Sequence, residues 1–161
     1  MKIKNEDCVQ RIHDMEQEIL KKFLYEAIFQ PDIKNPIPFS TTEQPELRKY
    51  IDGFGQQKGD YALGAFYEEQ IVGLVWTRLV KGYGYIDSNT PELNISVLSP
   101  YRGKNLGSLL LSKMLILLKE KGFEKVSLSV QKANRALKLY EKLGFEIFSA
   151  DDATYTMICF L

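Results

Sequence analysis

A strand-like segment that runs through a basic turn into an apolar helix limits the folds open to this chain more than any other part of it. Alternating apolar residues predict a strand over 92–98, and Arg-Gly-Lys-Asn-Leu-Gly follows at 102–107. Apolar side chains then cover most of the circumference of a helix predicted over 106–121, which Gly122 ends. The next predicted strand, 126–130, is parallel to the first, because strand, helix and strand in this order form a crossover connection.

The other segments predict antiparallel neighbours and flanking helices. A single parallel crossover in an otherwise antiparallel sheet predicts an α+β fold rather than a doubly wound one. The predicted elements are a hairpin of 60–67 and 70–79, helices over 7–29, from Pro45 to about Gly53 or Gly55, and over 134–143, and closing strands over 145–148 and 154–160.

Length and composition exclude several classes of protein. The 161 residues suffice for one domain, so we interpret 1–161 as a single domain. Lys+Arg and Asp+Glu both number 21, which leaves no basic field for nucleic acid or an anionic membrane surface. The most apolar stretch, 109–118, is too short to span a bilayer. Cys8 and Cys159 lack the spacing of a disulfide framework or metal site, so we expect a soluble, cytoplasmic protein without a metal.

The turn at 102–107 has the features of a phosphate-binding site. Unpaired backbone N–H groups and the helix dipole both favour an anion at a helix amino terminus. Glycine permits the positive φ of such a cradle, and Arg102 and Lys104 add positive charge beside it. The turn therefore predicts a pyrophosphate site, with turn tightness and solubility as the alternative explanation of the same residues.

Here the sequence resembles the GNAT superfamily of N-acetyltransferases. The superfamily's cofactor motif is Arg or Gln, two residues, Gly, one residue, then Gly or Ala, and 102–107 matches it except that Asn105 stands at the first motif glycine. Asn tolerates left-handed backbone better than other non-glycine residues, so the turn is expected to survive. A second region resembles Asn-x-x-Ala-x-x-x-Tyr-x-x-x-Gly-Phe with one spacing shortened, through Asn134, Ala136, Leu137, Tyr140, Gly144 and Phe145.

The resemblance covers residues 92–161 and implies a mixed, mainly antiparallel sheet flanked by helices, with a splayed parallel pair around acetyl-CoA. It implies an acetyl-CoA-binding core at 60–161, while the helices at 7–57 border the acceptor site. For Asn134 a helix cap is the alternative role, and the strand residues also serve as core. The residues implied to bind the cofactor are Ile95, Ser96, Val97, Arg102, Gly103, Lys104, Asn105, Leu106, Gly107, Ser108, Asn134 and Tyr140.

The resemblance also implies the catalytic groups. It places the Tyr140 hydroxyl near the thioester sulfur as general acid, and a phenol with pKa about 10 keeps its proton at neutral pH. A lysine-like acceptor with pKa about 10.4 must lose a proton, and Glu92 is the candidate base, directly or through water, with Asp87 in reserve. The alternatives are a tyrosine that covers the core edge and an ordinary surface carboxylate at a strand start.

Acceptor specificity is expected from the two amino-terminal helices, the Pro-rich loop between them and the hairpin. His13 is predicted to be solvated, and Cys8 to serve in packing or at the surface. Five aromatic residues are candidates for an apolar acceptor pocket or for core: Phe29, Phe39, Tyr50, Phe54 and Tyr83.

These patterns favour an acetyl-CoA-dependent N-acetyltransferase that moves an acetyl group directly to a primary amine, of a small molecule or peptide, in a ternary complex. Three alternatives stay open: transfer of another acyl group, an acyl-CoA-binding sensor without turnover, and a site for a simple nucleotide. The hydrophobic strand at 154–160, taken as a sheet edge, favours a homodimer.

Overall fold

The computed structural model describes residues 8–161. Its strands are β1 (Val9–Arg11), β2 (Tyr61–Tyr67), β3 (Gln70–Arg78), β4 (Glu92–Val97), β5 (Lys125–Gln131), β6 (Glu146–Ala150) and β7 (Thr154–Phe160). Its helices are α1 (Gln17–Ala27), α2 (Pro45–Arg48), α3 (Leu106–Glu120) and α4 (Ala136–Lys142), with 3₁₀ turns at Phe39–Glu43 and Ser99–Tyr101. The strands form one sheet in the order β1-β2-β3-β4-β5-β7-β6, in which β4 and β5 are parallel and the other neighbours antiparallel. The predicted α+β fold with a mixed, mainly antiparallel sheet is confirmed.

Two hydrophobic clusters hold helices against the sheet. α3 contributes fully buried side chains to one cluster, and burying each of them stabilises the fold by about 1.5–3 kcal/mol; they are Leu110, Leu111, Met114 and Leu118. α1 contributes Leu20, Phe23 and Leu24 to the second cluster, which also contains Trp76 of β3. The Ser96 hydroxyl of β4 donates to the Phe23 carbonyl oxygen at 2.7 Å. β4 therefore packs against both α3 and α1.

The helix predicted over 7–29 is wrong in its first half. Residues Val9–Arg11 form a strand whose Val9 pairs with Ala65 and whose Arg11 pairs with Leu63 of β2, and the helix itself spans only Gln17–Ala27. The edge of the hairpin offers unpaired backbone groups, and pairing with it satisfies them while Val9 enters the core. The local apolar spacing could not reveal this distant partner. The predicted start at residue 7 lies outside the described residues.

The second predicted helix is also shorter than expected. α2 ends at Arg48, and turns follow through the two glycines, Gly53 and Gly55, whose φ angles are 63° and 99°. The Arg78 guanidinium donates to the carbonyl oxygens of Lys49 and Asp52. The left-handed backbone at Gly53 ends the helical path, and the Arg78 side chain satisfies these two carbonyl oxygens at its end.

The prediction that the closing strand 154–160 is a sheet edge is wrong. β7 lies between β5 and β6, with Val130 opposite Tyr155 on one side and Ile147 opposite Met157 on the other. Both sides of β7 are thus paired, which removes the argument for a dimer through it. At this end of the sheet the edge strand is β6, all five residues of which are exposed.

None of the helices in residues 8–161 combines the length and the apolar character needed to cross a membrane.

Candidate active site

A cleft opens where β4 and β5 diverge. The two strands form a single ladder pair, Glu92 with Ser127, and beyond it both strands line a cavity of about 890 Å³. The end of α1 and the start of α4 complete the walls, and Gly107, from the first turn of α3, also lines the cavity. The splayed parallel pair expected from the sequence is therefore present as an open V between the strands.

β4 presents unpaired backbone to this cleft. Backbone groups of successive strand residues point alternately to the two neighbours, and on one side the whole of β4 pairs with β3. On the other side β5 diverges from β4 beyond the Glu92–Ser127 pair, so the backbone around Ile95 and Val97 has no strand partner there. The three predicted residues, Ile95, Ser96 and Val97, all line the cleft.

The turn before α3 has the conformation that an anion cradle requires. Gly103 has φ 74°, and Asn105, the N-cap of α3, has φ 63° and ψ 14°. The expectation that Asn105 accepts the left-handed backbone in place of the motif glycine is confirmed. The first helical bond runs from the Leu109 N–H to the Asn105 carbonyl oxygen, so the N–H groups of Leu106, Gly107 and Ser108 precede the helical ladder and have no partner within it.

Arg102 bridges the end of the cleft. Its Nε donates to the Val97 carbonyl oxygen at 2.8 Å, and its Nη2 lies 3.2 Å from Oε2 of Glu26 on α1. About half of the Arg102 side chain is exposed, so this ion pair is weak and readily exchanged. Arg102 lines the cleft, whereas Lys104 is on the turn outside its wall.

Asn94 is a cleft residue that the sequence analysis did not identify. Its Nδ2 is buried, and no acceptor among residues 8–161 reaches it. A buried amide donor without a partner costs about 1–3 kcal/mol. The only signal in the sequence for a role of Asn94 was its polar side chain inside an apolar strand. Such a residue is equally typical of a solvent-exposed position without a functional role. The unpaired donor in the wall is therefore a candidate ligand contact.

Tyr140 also lines the cleft, from α4. Its ring packs against Phe145 with 5.9 Å between centroids, and the residue is 8% exposed. Its hydroxyl makes no hydrogen bond to the described part of the chain. Burial raises the pKa of Tyr140 to about 12, so the phenol holds its proton across the physiological range.

Asn134, next to the start of α4, bonds the helix start and lines the cleft. Its Oδ1 accepts the Ala136 N–H at 2.9 Å, which satisfies a backbone donor at the helix start. This bond is of the kind that the capping alternative predicts, although the N-cap position of α4 is Arg135, and Asn134 also lines the cleft.

Glu92 is buried beside the cleft and does not line it. It is 2% exposed. Oε1 accepts the Tyr50 hydroxyl at 2.9 Å and the Gly84 N–H at 2.8 Å, and Oε2 accepts the Gly82 N–H at 2.8 Å. Burial raises the pKa of Glu92, and the hydrogen bonds act in the opposite direction.

Asp87 lies on the surface away from the cleft, 3.0 Å from Nζ of Lys125. Hydrogen bonds, first that from Lys125, lower the pKa of Asp87 to about 2. Neither predicted base is therefore on the cleft wall. Among the described lining residues, Glu26 is the carboxylate that reaches the cleft, and it is paired with Arg102.

The five candidate aromatic residues do not form one pocket. Phe29 lines the cleft, Phe39 and Tyr83 are exposed, and Tyr50 and Phe54 belong to the cluster under α1. His13 is exposed, as expected. Residues 8–161 contain no group of three or more His, Cys, Asp or Glu side chains that could hold a metal.

Comparison with known proteins agrees with this geometry. The model of the acetyltransferase (GNAT) family matches residues 22–145. The [ribosomal protein bS18]-alanine N-acetyltransferase of Haemophilus influenzae is 48% identical over 52 residues, which are 32% of this chain and 36% of that protein. The match therefore spans about a third of the relative's length.

Two solved structures share the fold. The PaiA N-acetyltransferase of Thermoplasma acidophilum, in complex with coenzyme A, aligns with a TM-score of 0.69 over 95% of this chain and 99% of that one, at 19% identity. The ribosomal-protein-S18-alanine N-acetyltransferase of Escherichia coli aligns with a TM-score of 0.62 over 94% and 93%, at 18% identity. At such identities the likeness concerns the fold.

Proposed function

The chain belongs to the GNAT acetyltransferase family, and we propose from this premise that it transfers an acetyl group from acetyl-CoA to a primary amine, directly in a ternary complex, in the cleft between β4 and β5. The observation that carries the proposal is the V-shaped opening of the one parallel strand pair, with a left-handed phosphate turn at one end and Tyr140 in the wall.

The residues present fit acetyl-CoA, which would supply an activated thioester when bound. The free N–H groups of Leu106, Gly107 and Ser108 suit a pyrophosphate, with Arg102, Gly103, Lys104 and Asn105 shaping and charging the turn. On the cleft side, the backbone of Ile95 and the N–H of Val97 have no strand partner and suit the amides of the pantetheine arm, in the manner of an added strand, while the Val97 carbonyl oxygen accepts the Arg102 side chain. The orphaned Asn94 donor and the cleft residue Asn134 supply further polar contacts.

Tyr140 is the proposed general acid. The residue lines the cleft, and its hydroxyl is protonated and has no competing hydrogen-bond partner in the described chain, so it is free to donate to a departing thiolate.

The base is harder to supply. Both oxygens of Glu92 already accept hydrogen bonds, so Glu92 can take a proton only through water and after the segment at Gly82 moves. An α-amino group, with pKa of about 7.7–8.0, is roughly one-tenth neutral at pH 7, whereas a lysine-like amine is neutral in fewer than about one molecule per thousand. We therefore place an α-amine ahead of a lysine side chain as acceptor. The alanine N-acetyltransferase similarity points the same way.

Thiol release with an amine panel tests the proposal. The enzyme is given acetyl-CoA and either a peptide with a free alanine amino terminus or the same peptide with that terminus blocked and one lysine present. We expect free thiol with the first peptide and far less with the second. A protein that binds no coenzyme A and releases no thiol with any amine contradicts the proposal.

An acyl-CoA-binding sensor is the second candidate, because no carboxylate other than the ion-paired Glu26 lines the described cleft. Saturable coenzyme A binding with no thiol release across the whole panel would favour it. Replacing acetyl-CoA by longer acyl donors in the same assay tests transfer of another acyl group.

Cytoplasmic location and a homodimer remain proposals as well. The pairing of β7 on both sides withdraws the first argument for a dimer, and sedimentation at micromolar concentration decides the oligomeric state.

A further inference from the structure

At the vertex of the cleft, one glycine residue from outside the two strands bridges them. Gly84, in the loop between β3 and β4, donates its N–H to Glu92 Oε1 of β4 at 2.8 Å. Its carbonyl oxygen accepts the Ser127 hydroxyl of β5 at 2.7 Å. Glu92 and Ser127 are the one ladder pair between the strands. Gly84 therefore links the side chains of the same two residues whose backbones pair, and we call this set of three residues the Gly84 clamp.

The clamp is held in place from the loop side. Tyr50 donates its hydroxyl to Glu92 at 2.9 Å and accepts the Tyr83 N–H at 2.7 Å, while the Gly82 N–H donates to the second Glu92 oxygen at 2.8 Å. Glu92 and Ser127 are 2% and 0% exposed. Hydrogen bonds to buried groups of this kind favour one arrangement, because a displacement leaves the buried Glu92 carboxylate or Ser127 hydroxyl without partners.

Residue 84 must be glycine for this contact. A Cβ at Gly84 would lie 2.9 Å from the Leu128 carbonyl carbon and 3.0 Å from the Ser129 nitrogen, both backbone atoms of β5. The loop backbone thus packs directly on β5 at the first residues beyond the ladder pair. These residues, Leu128 and Ser129, belong to the cleft wall.

We propose that Glu92 and Ser127 are positioning residues that act through Gly84 to set the point at which β4 and β5 diverge. They thereby fix the geometry of the inner end of the cleft, where the acyl group would bind. The inference rests on the proposed function for its catalytic part. The inner end is lined by Leu93 and Leu128 next to the clamp, whereas the phosphate turn lies past the far end of β4. A weakened clamp should therefore disturb the pantetheine arm more than the nucleotide.

The test compares two buried hydroxyls that make the same kind of bond. Ser127 and Thr77 are both 0% exposed, and each donates to the carbonyl oxygen of a buried loop glycine, Gly84 at 2.7 Å and Gly59 at 2.9 Å. Ser127→Ala and Thr77→Val each remove one such bond with little change of shape. We expect both to melt a few degrees lower, but only Ser127→Ala to weaken coenzyme A binding, by about 2- to 10-fold.

Two further readouts separate positioning from stability. Ser127→Ala should bind the adenosine bisphosphate nucleotide of coenzyme A, without the pantetheine arm, as tightly as the wild type does. Its turnover number should fall more than its KM for acetyl-CoA rises. Without ligand, hydrogen exchange of the backbone amides at positions 84 and 127 should be faster than in the wild type for Ser127→Ala. It should be unchanged for Thr77→Val.

Equal behaviour of the two variants in exchange and in coenzyme A affinity overturns the inference. If the wild type binds no coenzyme A, the proposed function fails by itself. The exchange data then decide whether the clamp sets the divergence of the strands.

Discussion

Tyr140 and Asn94 each bring to the same cleft wall a polar group that makes no hydrogen bond to residues 8–161. Most buried polar groups in folded proteins are hydrogen-bonded, since an unmet donor lowers stability. The Asn94 Nδ2 is such a buried donor, and its place in the cleft wall indicates that a ligand completes it. At the scale of single residues, the expected signature is a substitution that leaves the fold as stable or more stable and harms function.

Tyr140→Phe is the clearest case. It removes a hydroxyl that makes no hydrogen bond in the described chain, so the free energy of unfolding should change by less than about 0.5 kcal/mol. Loss of the general acid should lower the turnover number by about 100-fold or more. Denaturant unfolding, coenzyme A titration and thiol release measure the three quantities. Full turnover with intact cofactor binding would remove the assignment.

Asn94→Leu should stabilise the protein by about 1 kcal/mol, because the unpaired Nδ2 is replaced by an apolar group of similar size. The same change should weaken either coenzyme A binding or the apparent affinity for the amine by roughly 2- to 10-fold. Urea unfolding without ligand and titrations with each substrate check this. Unchanged affinity for both would show that Asn94 contacts neither.

At the scale of elements, one buried ion pair connects the hairpin to the segment after α2. Arg78 of β3 meets the Asp60 carboxylate in a two-pronged contact of 3.0 and 3.1 Å, with side chains 3% and 0% exposed. Asp60 also accepts the N–H groups of Gly55 and Gln57. The guanidinium binds carbonyls of the segment as well. This segment supplies Tyr50, so the ion pair supports the clamp indirectly.

Arg78→Met should lower the free energy of unfolding by about 3–5 kcal/mol, because it leaves the Asp60 carboxylate buried without its cation. The matched control is Arg48→Ala, which removes the ion pair between Arg48 and Asp52. The side chains of both residues are 49% exposed. There we expect a loss below about 1 kcal/mol. Urea unfolding of both variants is the measurement, and equal losses would contradict the prediction.

At the scale of the whole molecule, stability should depend on pH through Glu92. Its folded pKa is raised by burial above the usual 4.5, so the folded state holds the proton more tightly than the unfolded chain. The stabilisation from this proton is complete below the unfolded pKa and is lost as pH rises through the folded pKa.

Glu92→Gln carries no titrating group at this position, so its stability relative to the wild type should improve as pH rises from about 4 towards neutral. A constant offset is expected besides, because the Gln amide would face the Gly82 N–H. Urea unfolding of both proteins across this range measures the difference. A difference that does not vary with pH would mean that burial leaves the pKa of Glu92 unshifted.

The same variant tests the catalytic role of Glu92. A base role predicts loss of the acidic limb of the pH–rate profile, whereas a positioning role predicts a lower rate with the limb retained. The two outcomes bear on the general base without depending on the stability measurement.

The amino-acid sequence by itself determined β4, the phosphate turn, α3 and β5, and with them the parallel pair and the motif residues. These features follow from periodicity and turn chemistry within a few tens of residues, where the physics is local. The left-handed Asn105 belongs here too, since its backbone preference needs no distant partner.

Only the tertiary structure decided the rest. It paired Val9–Arg11 with β2 and inserted β7 between β5 and β6. It also brought the Tyr50 hydroxyl into a hydrogen bond with Glu92, 42 positions away. It also placed the Asn94 Nδ2 in the cleft wall, where no acceptor of residues 8–161 reaches it. Each outcome depends on which distant surfaces meet and which polar groups they satisfy. That pairing is a property of the assembled chain, so no local pattern of residues carries it.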